Sequence, residues 1–224
     1  MSPHSKGEGW DEVKHETERN LELVKEITDS EFTPLDIHPK GIIMPKLYPG
    51  VSDYQHVERF KTTDYICIAP MSVWFTKQFT KEKWLEFLRK TDRDLEVYLL
   101  GGKDDSDACE VILNQSEHHK IQNLAGKLSF LQTAALMKDA KMNYVNDSAS
   151  LHIASSMNAP VTAIFCSTIP AFGFGPLSDN SKVIETKLDL DCRPCGLHGL
   201  KRCPEEHFKC ATSIEIEDLL HKST

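Results

Sequence analysis

Two short stretches of the chain gather side chains that could grip an anion. They are Ala69-Pro70-Met71-Ser72-Val73-Trp74-Phe75-Thr76-Lys77 and Asn146-Asp147-Ser148-Ala149-Ser150-Leu151-His152. Each follows an apolar run of β type and precedes a helical pattern, so its polar groups fall at the carboxyl end of a strand. In an open α/β sheet that rim favours phosphate, through free backbone N–H groups and the helix dipole. Lys77 is a compact charge suited to a pyrophosphate, and the hydroxyl of Ser72 can add a hydrogen bond. The competing readings are ordinary ones. Lys77 alone would pass for a solvated surface lysine, and Asp147-Ser148 for an N-cap pair accepting from first-turn N–H groups. His152, one turn beyond Ser148 and on its face, reads singly as a structural histidine. Both loops on one sheet edge tip the balance toward a ligand.

Gly101-Gly102-Lys103-Asp104 ends another strand and would let backbone approach a ligand closely. A Walker loop and the G-x-G-x-x-G fingerprint are absent from the sequence, which disfavours ATP hydrolysis and the usual dinucleotide site. Near the C-terminus, Cys192, Cys195, Cys203 and Cys210 form a C-x2-C-x7-C-x6-C series with His198 and His207 inside it. The first pair has the spacing of a zinc knuckle. Reduced thiols packed in a turn, or disulfides, fit the same spacing.

The elements that must position these residues alternate between two periods. Tyr65–Ala69 is a buried-strand run, and Lys81–Lys90 carries Trp84, Leu85 and Leu88 on one helical face. The strands expected next are Leu95–Leu100, Ile121–Leu124, Met142–Val145, Val161–Cys166 and Lys182–Thr186. The helices are Asp104–Leu113, Ser129–Ala140, Ser148–Met157 and a last one near Thr212–Leu220. Strands separated by helices of roughly 10–15 residues imply crossover connections and a parallel sheet. Ahead of them, Asp11–Thr28 has near-helical apolar spacing at Val13, Leu21, Val24 and Ile27. Pro34, Pro39, Pro45 and Pro49, with Gly41 and Gly50, then suggest a stiff, extended linker.

A chain of 224 residues, 40% apolar and 27% charged, can bury a full core. Its net charge of −8 argues against broad binding to nucleic acid or to anionic lipid. Apolar runs fall short of the ~20 residues of a membrane helix, and the polar start Met1–Gly9 lacks the apolar stretch of a signal peptide. A cytoplasmic location is expected, with reduced cysteines.

Six stretches in order resemble glycosyltransferase family 9, the ADP-heptose:lipopolysaccharide heptosyltransferases, from about Asp11 to the C-terminus. They are Ala69-Pro70-x-Ser72-x-Trp74-x-x-Lys77, Leu99-Leu100-Gly101-Gly102-x-x-Asp105, Asn123-Leu124-Ala125-Gly126-Lys127, Asn146-Asp147-Ser148-x-x-x-His152, Ala159-Pro160-Val161-x-Ala163-Ile164-Phe165 and the cysteine-rich tail. The resemblance implies a GT-B architecture, in which two Rossmann-like domains face a cleft. The C-terminal domain holds the nucleotide-sugar donor. The N-terminal domain holds the lipopolysaccharide core acceptor and the catalytic carboxylate. On that basis this chain is expected to be the C-terminal half, an α/β, Rossmann-like parallel sheet flanked by helices. Residues 1–50 would be a helix and Pro-rich linker, a remnant of the N-terminal domain. Residues 51–224 would be the nucleotide-sugar-binding domain with its Cys-rich end.

By the same resemblance Ser72, Lys77, Gly101, Gly102, Asp147, Ser148, Ala149 and His152 would line the site for ADP-heptose, and the catalytic base would lie in the other domain. Transfer would invert the sugar in one displacement. A carboxylate deprotonates the acceptor hydroxyl while lysine and N–H groups stabilise the leaving ADP, without metal or cofactor. Nucleic acid is not an expected partner; peripheral contact with a membrane is compatible with the acceptor. The sequence departs from the family at Ala149, often a glycine, and at Cys166-Ser167-Thr168, in place of Gly-Pro-Thr. A β-carbon at 149 would narrow the approach of a phosphate oxygen. The alternative reading is a non-catalytic nucleotide- or protein-binding module descended from a transferase.

Overall fold

Alternation along the strands decides which helices cover which face of the sheet. The computed structural model describes residues 14–24 and 44–220. The ends of the expected first helix and most of the linker, including Val13, Ile27, Pro34, Pro39 and Gly41, lie outside the described residues. The described chain runs through α1 (Glu16–Val24), α2 (Val51–Val57, continued by a 3-10 turn at Glu58–Phe60), β1 (Tyr65–Ala69), a 3-10 turn at Phe75–Lys77 and α3 (Lys81–Lys90). It continues with β2 (Glu96–Leu99), a 3-10 turn at Lys103–Asp105, α4 (Ser106–Gln115), β3 (Ile121–Asn123), α5 (Phe130–Lys138), β4 (Met142–Asn146) and α6 (Ala149–Ser156). Last come β5 (Val161–Phe165), a 3-10 turn at Pro170–Phe172, β6 (Ser181–Glu185) and two single turns, α7 (Lys209–Thr212) and α8 (Ile216–Leu219).

The strands form one six-stranded sheet in the order β3-β2-β1-β4-β5-β6, with parallel pairing throughout. This is the expected Rossmann-like α/β layer. In β1, Tyr65, Cys67 and Ala69 face a core shared with Ala134–Met137 of α5 and Leu151 and Ala154 of α6. Ile66 and Ile68 face the opposite core, with Trp84, Phe87 and Leu88 of α3 and Ile112 of α4. A period of two on a sheet covered on both sides produces the continuous apolar run seen in the sequence. Ring edges key the second core. Trp84 meets Phe79 edge-on at 5.2 Å, and Phe87 lies 4.5 Å from Tyr144.

The end of the chain differs from expectation. One helix over Thr212–Leu220 is replaced by the two turns α7 and α8. The carbonyls of Phe208 and Lys209 accept from both the N–H and the hydroxyl of Thr212 and Ser213 respectively. Helix α2 was not foreseen. Its start is capped where the carboxylate of Asp53 accepts from the N–H of Gly50 at 2.9 Å. No helix among the described residues is long and apolar enough to cross a membrane.

Replacing Trp84, which is fully buried, by alanine is expected to cost roughly 3–5 kcal/mol in urea unfolding. Thr80→Ala, which removes the N-cap of α3, should cost about 1 kcal/mol. Equal effects of the two substitutions would contradict this core.

Candidate functional site

The strand order reverses between β1 and β4. The loop after β1 leads away to α3 and β2, and the loop after β4 leads the other way to α6 and β5. A crevice opens at such a switch point, at the carboxyl ends of the strands. Both stretches singled out from the sequence emerge there. The ammonium of Lys77 lies 2.7 Å from Oδ2 of Asp147, with the two side chains 15% and 6% exposed. The same oxygen accepts a hydrogen bond from Thr168 Oγ1 at 2.7 Å. Asp147 therefore does not cap the helix with its side chain: its carboxylate is committed to Lys77 of the other loop and to Thr168. Ser148 is the N-cap residue of α6 by backbone geometry, with no side-chain cap bond. Its buried hydroxyl has no hydrogen-bond partner. Ala149 is the exposed first residue of the helix.

Ser72 belongs to the same cluster through a long 3.4 Å contact from its hydroxyl to the carbonyl of Asp147. His152 stands at the protein surface and packs edgewise on Phe174, 6.1 Å between ring centroids. It lines a hollow of about 250 Å³ with His15 and Asn20. Desolvation by surrounding protein lowers the imidazole from its ordinary value, and the charges of His15 and Lys77 add to that. Asp147 pulls the other way. The ring thus favours its neutral form and is a hydrogen-bonding group rather than a second cation. Helix α1 closes this side. The N–H of Glu16 donates to Gly173 O at 2.8 Å and Arg19 Nη2 to Phe172 O at 2.9 Å.

Gly101 and Gly102 lie on the same rim, after β2, but Gly101 is bonded to the segment after β3 and Gly102 to the turn ahead of α4. Gly126 N–H donates to Gly101 O at 3.0 Å, and Gly102 N–H to Asp105 Oδ2 at 2.8 Å. A β-carbon on Gly101 would stand 2.7 Å from that of Asp105. Packing against Asp105 thus accounts for glycine at 101 without a ligand.

Four residues that carry the site escaped the sequence reading: Thr76, Ser167, Arg193 and Gly199. Thr76 is buried. Its hydroxyl accepts from Leu200 N–H at 2.7 Å and from Ser167 Oγ at 3.0 Å. Its own N–H donates to Leu200 O at 3.1 Å. Arg193 donates to the carbonyls of Cys166 and Thr168, both at 2.7 Å, and pairs with Glu185. Gly199 has φ +77°, and a β-carbon there would come within 2.8 Å of Lys77 Cγ. The tail is thus laid over the Lys77 turn. The four tail cysteines line one hollow of about 480 Å³ and all are free thiols. Burial first, then neighbouring thiols, pushes Cys195 up and Cys210 up to about 12. Among the described residues no group of three or more His, Cys, Asp or Glu is placed to hold a metal ion.

The model of glycosyltransferase family 9 (heptosyltransferase) matches residues 10–204. Lipopolysaccharide heptosyltransferase 2 of Escherichia coli is 32% identical over 96 residues, 42% of this chain and 27% of that protein. The solved E. coli ADP-heptose lps heptosyltransferase II superposes with a TM-score of 0.60 at 22% identity, over 81% of this chain and 54% of that one. A glycosyl transferase family 9 structure from Veillonella parvula gives a TM-score of 0.66 at 18% identity, over 78% and 50%. The chain spans about half the length of these solved relatives.

Asp147→Asn keeps the shape of the side chain and strands the Lys77 ammonium. The expected loss is about 2 kcal/mol in urea unfolding, below the roughly 3–5 kcal/mol of fully buried pairs because Lys77 keeps some solvent. Unchanged stability would mean that the pair does not form in solution.

Proposed function

Because the chain belongs to glycosyltransferase family 9, the heptosyltransferases, we propose that it supplies the donor-binding side of an inverting sugar transfer from ADP-heptose to the lipopolysaccharide core. The observation that carries this reading is the Lys77–Asp147 pair at the switch point, beside the N-terminus of α6. A diphosphate entering the crevice would meet the ammonium of Lys77, the N–H groups at the start of α6 and the hydroxyls of Ser72 and Ser148. As the bond to the sugar breaks, negative charge builds on the departing ADP. Lys77 and the helix N-terminus would face that position, so that little reorganisation would be required. Asp147 holds the ammonium in the crevice through a contact of 2.7 Å and is itself held by Thr168.

His152, disposed to the neutral form, would bond to a sugar or phosphate oxygen without adding charge. Gly101 and Gly102 would border the far side of the donor, their rim continuous with the crevice through the β1–β2 pairing. The base that deprotonates the acceptor hydroxyl is proposed to come from a second α/β domain, reached through the segment ahead of residue 51. The names of the relatives support this donor and acceptor: one is an ADP-heptose lps heptosyltransferase and another a lipopolysaccharide heptosyltransferase.

Calorimetry with ADP tests the reading. The chain should bind ADP with micromolar-to-millimolar affinity, AMP less well, and Lys77→Ala should weaken ADP at least tenfold, as expected for a charge-assisted bond. Absence of binding by any nucleoside diphosphate would overturn it.

A further inference from the structure

Asn146, the last residue of β4, is fully buried, and both ends of its amide are used by the loop that carries Lys77. Its Nδ2 donates to the carbonyl of Pro70 at 2.7 Å. Its Oδ1 accepts from the N–H of Phe79 at 3.0 Å. Pro70 is the first residue after β1, and Phe79 is the last but one before α3. One side chain from the neighbouring strand therefore closes the loop at its neck. The partners also fix the sense of the amide, since a carbonyl can only accept and a main-chain N–H can only donate.

Inside the neck the loop is braced further. Gln78 Nε2 donates to Ser72 O at 2.6 Å, and Lys77 N–H donates to Trp74 O at 3.0 Å. These are contacts within a loop whose ends are already tied. Without the tie, the ends of the loop would regain backbone freedom. A ligand that needs Lys77 in one place would then have to order the loop as it bound, and would bind more weakly in proportion to the ordered fraction.

We propose that Asn146 is a positioning residue that sets where the Lys77 ammonium stands at the mouth of α6, and so sets affinity for a diphosphate. This rests on the donor-binding reading above. The residue types agree with the role. Aspartate would lose the donor to Pro70 O, and an aliphatic residue would leave both main-chain groups buried without partners.

The test compares the full chain with Asn146→Ala, and with Asn146→Ser where the alanine variant does not fold. Amide exchange over residues 71–79 should speed up while β1 and β4 exchange as before. ADP affinity should fall about tenfold, and Asn146→Ala combined with Lys77→Ala should bind ADP no worse than Lys77→Ala alone. That non-additivity marks a residue acting through Lys77, which a general loss of stability would not reproduce. Unchanged exchange over 71–79, or losses that simply add, would overturn the proposal. If the wild-type chain binds no ADP the donor-binding reading falls, and loop exchange by itself decides whether Asn146 holds the loop.

Discussion

An ion pair of 2.7 Å joins the loop after β1 to the loop after β4, and the architecture around it is what such a pair requires. Two charges taken out of water lose hydration that their mutual attraction does not reliably restore, unless remaining hydrogen-bonding positions are filled. Here Thr168 fills one of them on Asp147. The pair also needs its strands adjacent and parallel, so that neighbouring carboxyl ends deliver both loops to one rim about 5 Å apart. The pairing of Ile66–Ala69 with Met142–Val145 provides that adjacency.

Around the pair, hydrogen bonds are directed inward from three segments distant in the chain. Asn146 holds the neck of the Lys77 loop, Leu200 meets Thr76 in the middle of it, and Ser167 and Thr168 rise from the end of β5. Arg193 ties the β5 end to β6 through main-chain carbonyls and Glu185. The cysteine-rich tail is accordingly part of the site's wall. Within Cys166-Ser167-Thr168, the Ser167 hydroxyl is used in this wall. A proline there would have no hydroxyl to offer Thr76 and no N–H for the Thr76 carbonyl, to which Ser167 N–H donates at 3.2 Å.

Much of the fold was legible because two-sided burial writes itself into composition. Tyr65–Ala69 and Val161–Phe165 are buried at every position and read as apolar runs. The helices expected from Lys81 and Ser129 start there, and the structure adds side-chain caps from Thr80 and Ser129. The last segment has apolar residues near helical spacing, yet it folds as two turns with residues 213–215 between them. At the rim, Ser72 and Lys77 of one loop meet Asp147 of the other, while His152 lines the hollow shared with His15. Gly101 owes its residue type to Asp105 instead. Thr76, Asn146 and Gly199 were opaque, since each acts on a partner brought close by the fold alone.

The sequence by itself determined the alternation of strands and helices, the parallel sheet and the two loops whose polar residues leave its rim. Periodicity and local turn chemistry act over a few residues and need no knowledge of distant neighbours. Which strands stand side by side was decided by the tertiary structure. The reversal between β1 and β4, the conversion of Asp147 from a cap into the partner of Lys77, and the folding of residues 192–200 over the Lys77 turn all follow from it. Those contacts join residues tens of positions apart, and their energies depend on burial and approach that a linear pattern does not encode.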